Sequence, residues 1–152
     1  MEVTVVGMRG NADFGSITSH FIGLGGECVL LEPSMVCGRG HAEAAAFHAL
    51  RAMRNGTNRS KDLLTETILF AASDRQIHRA MEKMRPRDLS EGCVAVLYGI
   101  SDPELDAIGM TRDDSLMDAD ADKASRLGLD DPYIPYEDQA IEMVAMLELL
   151  KQ

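Results

Sequence analysis

Cys37–Pro86 reads CGRGHAEAAAFHALRAMRNGTNRSKDLLTETILFAASDRQIHRAMEKMRP, and the spacing of its apolar residues decides the fold. Ala46, Phe47, Leu50 and Met53 recur at helical intervals, predicting a helix from His41 to Asn55 with these residues inward. His48, Arg51 and Asn55 share another face, and Gly56 stands where a helix ends. Ser60 is a favourable N-cap for a second helix, with Leu64, Ile68 and Ala71 or Ala72 facing in and Leu63 and Phe70 beside them. Ser73-Asp74-Arg75-Gln76 has the serine-to-glutamine spacing of a capping box and starts a third helix. Ile77, Ala80, Met81 and Met84 are expected in the core, Arg75, Arg79 and Lys83 outside, and Pro86 ends the element. Very short turns separate the three helices.

The flanks supply strands for these helices to cover. Val3–Gly7 is a β-branched run, and Cys28–Leu31 and Cys93–Tyr98 are uninterrupted apolar runs of the kind buried on both faces of a sheet. Asn11–Leu24 carries Phe14, Ile17, Phe21 and Leu24 at helical spacing. Asp102–Met110 opens as helices do, and Asp113–Asp122 is acidic and irregular, with a short edge strand expected at Ser115–Met117. After a helical turn at Lys123–Leu127 and a loop marked by Pro132 and Pro135, Glu137–Lys151 forms a closing helix. Its inward stripe is Ile141, Val144, Leu147 and Leu150, and its nearly all-round apolarity predicts packing on more than one side. The fold class is α/β (α+β): one domain over residues 1–152, a small mixed sheet packed with helices.

The chain has 152 residues and a net charge of -10, which alone argues against nucleic acid as a partner. The distribution argues otherwise. Arg39–Arg87 holds ten Lys/Arg and five Asp/Glu, while the remainder holds five Lys/Arg and twenty Asp/Glu. A basic contact surface on an acidic body follows. Cys28, Cys37 and Cys93 are too few and too far apart for a disulfide framework or a CxxC pair, so buried thiols in a reducing cytoplasm are expected. There is no basic leader and no apolar run near the ~18 residues of a membrane span.

Catalytic motifs fail in turn. Gly23-Leu24-Gly25-Gly26 precedes a strand instead of following one, so it is not a dinucleotide fingerprint. His41 and His48 are seven apart with no third ligand, and Asp118, Asp120 and Asp122 lack the glycine and closing glutamate of a calcium loop. No metal and no cofactor is expected, and the chain reads as a non-catalytic binding module. Two helix starts, at Arg59-Ser60 and at Ser73–Gln76, offer N–H groups and arginines suited to phosphate. In sequential antiparallel helices such starts lie at opposite ends of the pair, which counts against a single site.

The blocks GRGHAEAAAFHALRAMRNG and NRSKDLLTETILFAASDRQIHRAM, followed by DDSLMD, KASRLGL and AIEMVAMLELLK, resemble the kinase-binding subunit family of the KEOPS complex, the PRPK-binding proteins. The resemblance runs from about Gly38, with RQI as its most specific part. Ser73 departs from it, since the family more often has glycine there. The resemblance implies a small α/β protein that is not an enzyme and that binds the small atypical kinase/ATPase of KEOPS (PRPK-like). It implies binding of the 3′ CCA end of tRNA and, through the kinase, indirect contact with the threonylcarbamoyl transferase subunit. Carried onto this chain, the tRNA surface comprises Arg59, Ser60, Lys61, Arg75, Gln76 and Arg79, completed by Arg39 and His41. Ile77 is assigned to the core and Glu66 as a partner for an arginine. The kinase surface is expected on the closing helix at Met143, Met146 and Leu150. The competing reading is a pure protein-interaction regulator of the kinase without tRNA binding. The acidic balance, with this complex, suits an archaeal source.

Overall fold

In the computed structural model, which describes residues 1–150, a four-stranded sheet is covered on both faces by helices. The strands are β1 (Val3–Gly10), β2 (Glu27–Leu31), β3 (Cys93–Tyr98) and β4 (Met110–Arg112), in the order β2-β3-β1-β4. All pairings are antiparallel, so the α/β class holds while the sheet is of one type rather than mixed. Val5 and Val29 both stand opposite Val96, and Val6 and Leu30 both stand opposite Ala95. Strand alternation sends the first set to one face and the second to the other.

The first face receives α2 (Arg39–Asn55), α3 (Leu63–Ala72), α4 (Ile77–Met84) and α6 (Tyr136–Leu150), which close one core with Val5, Val29, Val94 and Val96. The second face receives α1 (Phe14–Gly23), whose Ile17 and Phe21 bury against Val6, Met8, Leu30 and Leu97. Burial on both faces explains why β2 and β3 read as unbroken apolar runs. Burial also pushes the Cys28 thiol up to about 11 and the Cys93 thiol to about 12, so neither ionises readily.

Several helix faces differ from the sequence expectation. The inward stripe of α2 is Ala42, Ala45, Ala46, Ala49 and Ala52, and Phe47 is 57% exposed. Alanine lets α2 lie close to α3, α6 and β1 at once, a fit that a phenylalanine in the stripe would prevent. In α6 the buried set is Gln139, Ala140, Val144 and Leu147, while Ile141 and Leu150 are exposed, so the C-terminal half of the helix has an open side. Lys151, the expected end of that helix, lies outside the described residues. The 102–110 stretch contains a 3-10 turn at Leu105–Ile108, not a longer helix. The short edge strand is Met110–Arg112, and Ser115–Met117 falls within a 3-10 turn at Asp114–Met117. The short helix expected at 123–127 is α5 (Ala121–Leu127).

Candidate functional site

The GRGH run at the start of α2 is a structural clip. Gly38 caps the helix at φ 101, a conformation glycine adopts without strain, and its N–H donates to the Met117 carbonyl at 2.7 Å. The Gly40 N–H donates to Glu137 Oε2 of α6 at 2.7 Å. Arg39 donates to the Val5 carbonyl of β1 and to Asp114 Oδ2 at 2.7 Å. Asp114 also binds Arg112 and the Gly7 N–H, so the acidic loop is a clamp for arginines and backbone. His41 is fully buried. Its Nδ1 accepts from the Cys37 N–H at 3.0 Å, which leaves Nε2 as the donor to the Ala71 carbonyl at 2.8 Å. The ring is thereby fixed as the neutral Nε2–H tautomer. Burial holds its pKa below the ordinary value, and the Lys123 charge adds to this. His41 therefore cannot complete a surface, and Arg39 is engaged structurally.

The second predicted helix start is built differently from expectation. The N-cap of α3 is Asp62, whose carboxylate accepts from the Thr65 N–H at 2.7 Å. Ser60 is buried, because the buried Glu66 carboxylate gathers the Arg59 N–H, the Ser60 N–H and the Ser60 hydroxyl at 2.9–3.2 Å. Glu66 is thus a partner of backbone and serine at the loop that presents Arg59. Of the three residues assigned to this start, Arg59 and Lys61 are exposed and Ser60 is not.

The turn after α3 is not a capping box. Ser73 is the C-cap of α3 in the left-handed conformation, φ 50, and its hydroxyl donates to the Met143 carbonyl of α6 at 2.7 Å. A left-handed residue at this point explains why glycine suits it. Gln76 is the N-cap of α4, with its N–H donating to Asp74 Oδ1 at 2.9 Å. The little-exposed Asp74 also pairs with Arg79 at 3.0 Å and Lys83 at 3.4 Å. Burial works to raise the Asp74 carboxyl, but the Gln76 N–H and the two cations outweigh it and hold it below its ordinary value. Asp74 therefore anchors Arg79 and Lys83 from beneath. Arg75, Gln76 and Arg79 are exposed as expected. Ile77, assigned to the core from sequence, is 44% exposed beside them. Periodicity alone could not place it, because the helix begins at Ile77 and its first turn overhangs the core.

Next to this turn lies the open side of α6. Met146 is 46%, Leu149 61% and Leu150 47% exposed, and Met143 is half-buried against the core. Arg75 donates to the Leu150 carbonyl at 3.1 Å, so the basic turn and the apolar helix end adjoin. Leu149 is the residue sequence reasoning missed here, although its apolarity three residues after Met146 was the available signal.

These contacts sort the predicted residues into two regions. Gly40 touches Glu137 and Arg75 touches Leu150, at opposite ends of α6, which puts Arg39 roughly 20 Å along the axis from Arg75. Arg59 and Arg75 flank α3, on the order of 10–15 Å apart along its axis, a span a few nucleotides of single strand can cover. Among the described residues no cluster of three or more metal-type side chains occurs, and no helix is long and apolar enough to cross a membrane.

A sequence model of the family described as kinase binding protein CGI-121 matches residues 16–125. The chain belongs to the CGI-121 family. This is the KEOPS subunit family that its sequence blocks resemble. The match covers α2, α3 and α4 with both helix starts and the strands β2, β3 and β4, and leaves out β1 and α6. No curated protein matches the chain. Membership of the CGI-121 family makes kinase binding the relevant activity class.

Proposed function

We propose that this chain is a non-catalytic KEOPS-type accessory subunit that binds the small atypical kinase and the 3′ CCA end of tRNA, in support of threonylcarbamoyladenosine modification. The observation that carries this reading is the adjacency of two surfaces, the exposed Arg75-Gln76-Ile77 turn and the apolar face of α6 at Met146, Leu149 and Leu150. The apolar face suits the kinase, since solvent-facing methionines and leucines of one helix gain most when a partner covers them. Met143 contributes at the edge of that face. The RNA surface comprises Arg75, Gln76, Ile77 and Arg79 together with Arg59 and Lys61, and leaves out buried His41 and Ser60 and the distant Arg39. Guanidinium and amide groups recognise phosphates and base edges of an exposed strand, and Ile77 gives a base an apolar contact. The transferase subunit is reached through the kinase.

The test is tRNA binding by the purified protein, with and without the terminal CCA. Tighter binding of the CCA-bearing form is expected, and equal binding of both forms would sink the CCA role. Arg75→Ala and Arg59→Ala are each expected to weaken binding by ~1–3 kcal/mol if they contact bases. The alternative, a regulator of the kinase that does not bind tRNA, draws on the pairing of Arg79 and Lys83 with Asp74. Co-purification with the kinase and no tRNA affinity at moderate salt would favour it.

A further inference from the structure

A groove of about 520 Å³ runs along the outer side of α4 and is lined by Arg79, Lys83, Arg87 and Arg126, with the carboxylates Glu32 and Glu82. Four cations against two carboxylates is the reverse of the balance elsewhere in this acidic chain. The two carboxylates face other partners. Glu32 Oε2 accepts from the Ser34 N–H and hydroxyl at 3.0 and 2.8 Å, and Glu82 pairs with His78 at 3.1 Å.

The cations are held in two different ways. Arg79 and Lys83 share Asp74. Arg87 donates to the Glu82 carbonyl at 3.4 Å, and Arg126, in the last turn of α5, donates to the Ser34 carbonyl at 3.1 Å. Neither Arg87 nor Arg126 forms an ion pair among the described residues. Two exposed guanidinium groups are thus positioned by neutral carbonyls and keep their full charge and remaining N–H donors for an anion. Arg79 and Lys83 stand one turn apart on α4, and Arg75 lies in the turn just before its N-cap Gln76, so the groove adjoins the basic turn that carries Arg75.

We infer that this groove binds phosphate groups of the RNA strand as it leaves the terminal site at Arg75–Ile77. The inference rests on the tRNA reading above and adds a second, sequence-independent contact to it. Bidentate guanidinium–phosphate pairing is the chemistry that positions nucleic acid without reading bases.

The test measures tRNA affinity against salt concentration for the wild type, Arg87→Ala, Arg126→Ala and the double variant, with CCA-bearing and CCA-lacking tRNA, and titrates the same proteins with inorganic tripolyphosphate. The expected result is a several-fold weaker affinity for the double variant and a salt slope lower by about 0.7 for each phosphate it no longer neutralises. The preference for CCA-bearing tRNA stays as in the wild type, and Arg87→Lys with Arg126→Lys restores much of the slope. An unchanged affinity and slope, with CCA preference intact, overturns the groove and leaves the terminal site standing. No tRNA binding by the wild type removes both. Tripolyphosphate binding that the double variant abolishes, with an unchanged tRNA slope, assigns the groove to a small phosphate ligand and overturns the RNA strand.

Discussion

The Ser60 hydroxyl donates to Glu66 Oε1 at 2.9 Å, and this buried contact shapes the loop that carries Arg59. The same carboxylate accepts from two backbone N–H groups of the loop. Glu66→Ala would leave three donors without this acceptor, at ~1–3 kcal/mol for each that stays buried. A loss of at least about 3 kcal/mol in urea unfolding is expected. Ser60→Ala removes one of the three bonds and is expected to cost about 1 kcal/mol. Equal, small losses for the two variants would show that the loop does not depend on the carboxylate.

Ser73 allows a sharper test, because two effects of similar size oppose each other. A β-carbon in the left-handed region costs ~1–2 kcal/mol, while the hydroxyl bond to the Met143 carbonyl returns about 1 kcal/mol. Ser73→Ala keeps the strain and removes the bond, so a loss of about 1 kcal/mol is expected. Ser73→Gly removes both and is expected to lie within about 0.5 kcal/mol of the wild type. The near-neutral glycine accords with the preference of the resembled family. A glycine variant as unstable as the alanine variant would show that backbone strain at φ 50 is immaterial here.

How far the sequence can be read follows from these residues. Unbroken apolar runs reveal β2 and β3, and four-residue spacing puts Arg75 and Arg79 outside, because both signals are local. The inward face of α2 comes out about one residue out of phase, whereas Ile68, Ala80, Met84, Val144 and Leu147 are buried as expected. Phe47 carries more hydrophobic weight than Ala45 or Ala49, but close helix contact selects small residues for the inward stripe. β4, three residues long, is too short to display alternation. Ser60 and Ser73 read as caps because serine favours caps, yet their roles are decided by Glu66 and Met143, which the fold brings to them and local sequence pattern does not reveal. His41 reads as a surface residue for the same reason, although its two ring nitrogens are satisfied by Cys37 and Ala71.

His41 makes stability dependent on pH. Its ordinary value of 6.5 applies to the unfolded chain, and burial lowers it in the fold. Above that value both states are neutral there and the group contributes no pH dependence. As pH falls through about 6.5, the unfolded chain takes up a proton that the folded chain refuses, so stability declines by at most about 1.4 kcal/mol per pH unit. His41→Gln removes this titration. The stability advantage of the wild type over His41→Gln is expected to shrink between about pH 7.5 and 5.5 in urea unfolding. A constant difference would mean that the ring titrates alike in both states.

The exposed side of α6 separates binding from folding. Met146 and Leu149 project away from the core, whereas Val144 and Leu147 are fully buried on the opposite side of the same helix. Met146→Asp and Leu149→Asp should therefore leave the unfolding midpoint within a degree or two, since exposed substitutions away from structural contacts cost about 0.5 kcal/mol or less. Leu147→Ala should cost ~2–5 kcal/mol by cavity formation. If the kinase covers this face, each aspartate variant forfeits roughly 1.5–3 kcal/mol of apolar burial and adds a desolvation cost, so kinase affinity should fall at least tenfold. Affinity for tRNA should hardly change, because the hydrogen bond from Arg75 to this helix goes to the Leu150 carbonyl, a backbone group that both substitutions keep. Kinase binding that survives in both aspartate variants would move the partner surface off α6, and Phe47 on α2 would be the next exposed apolar residue to test.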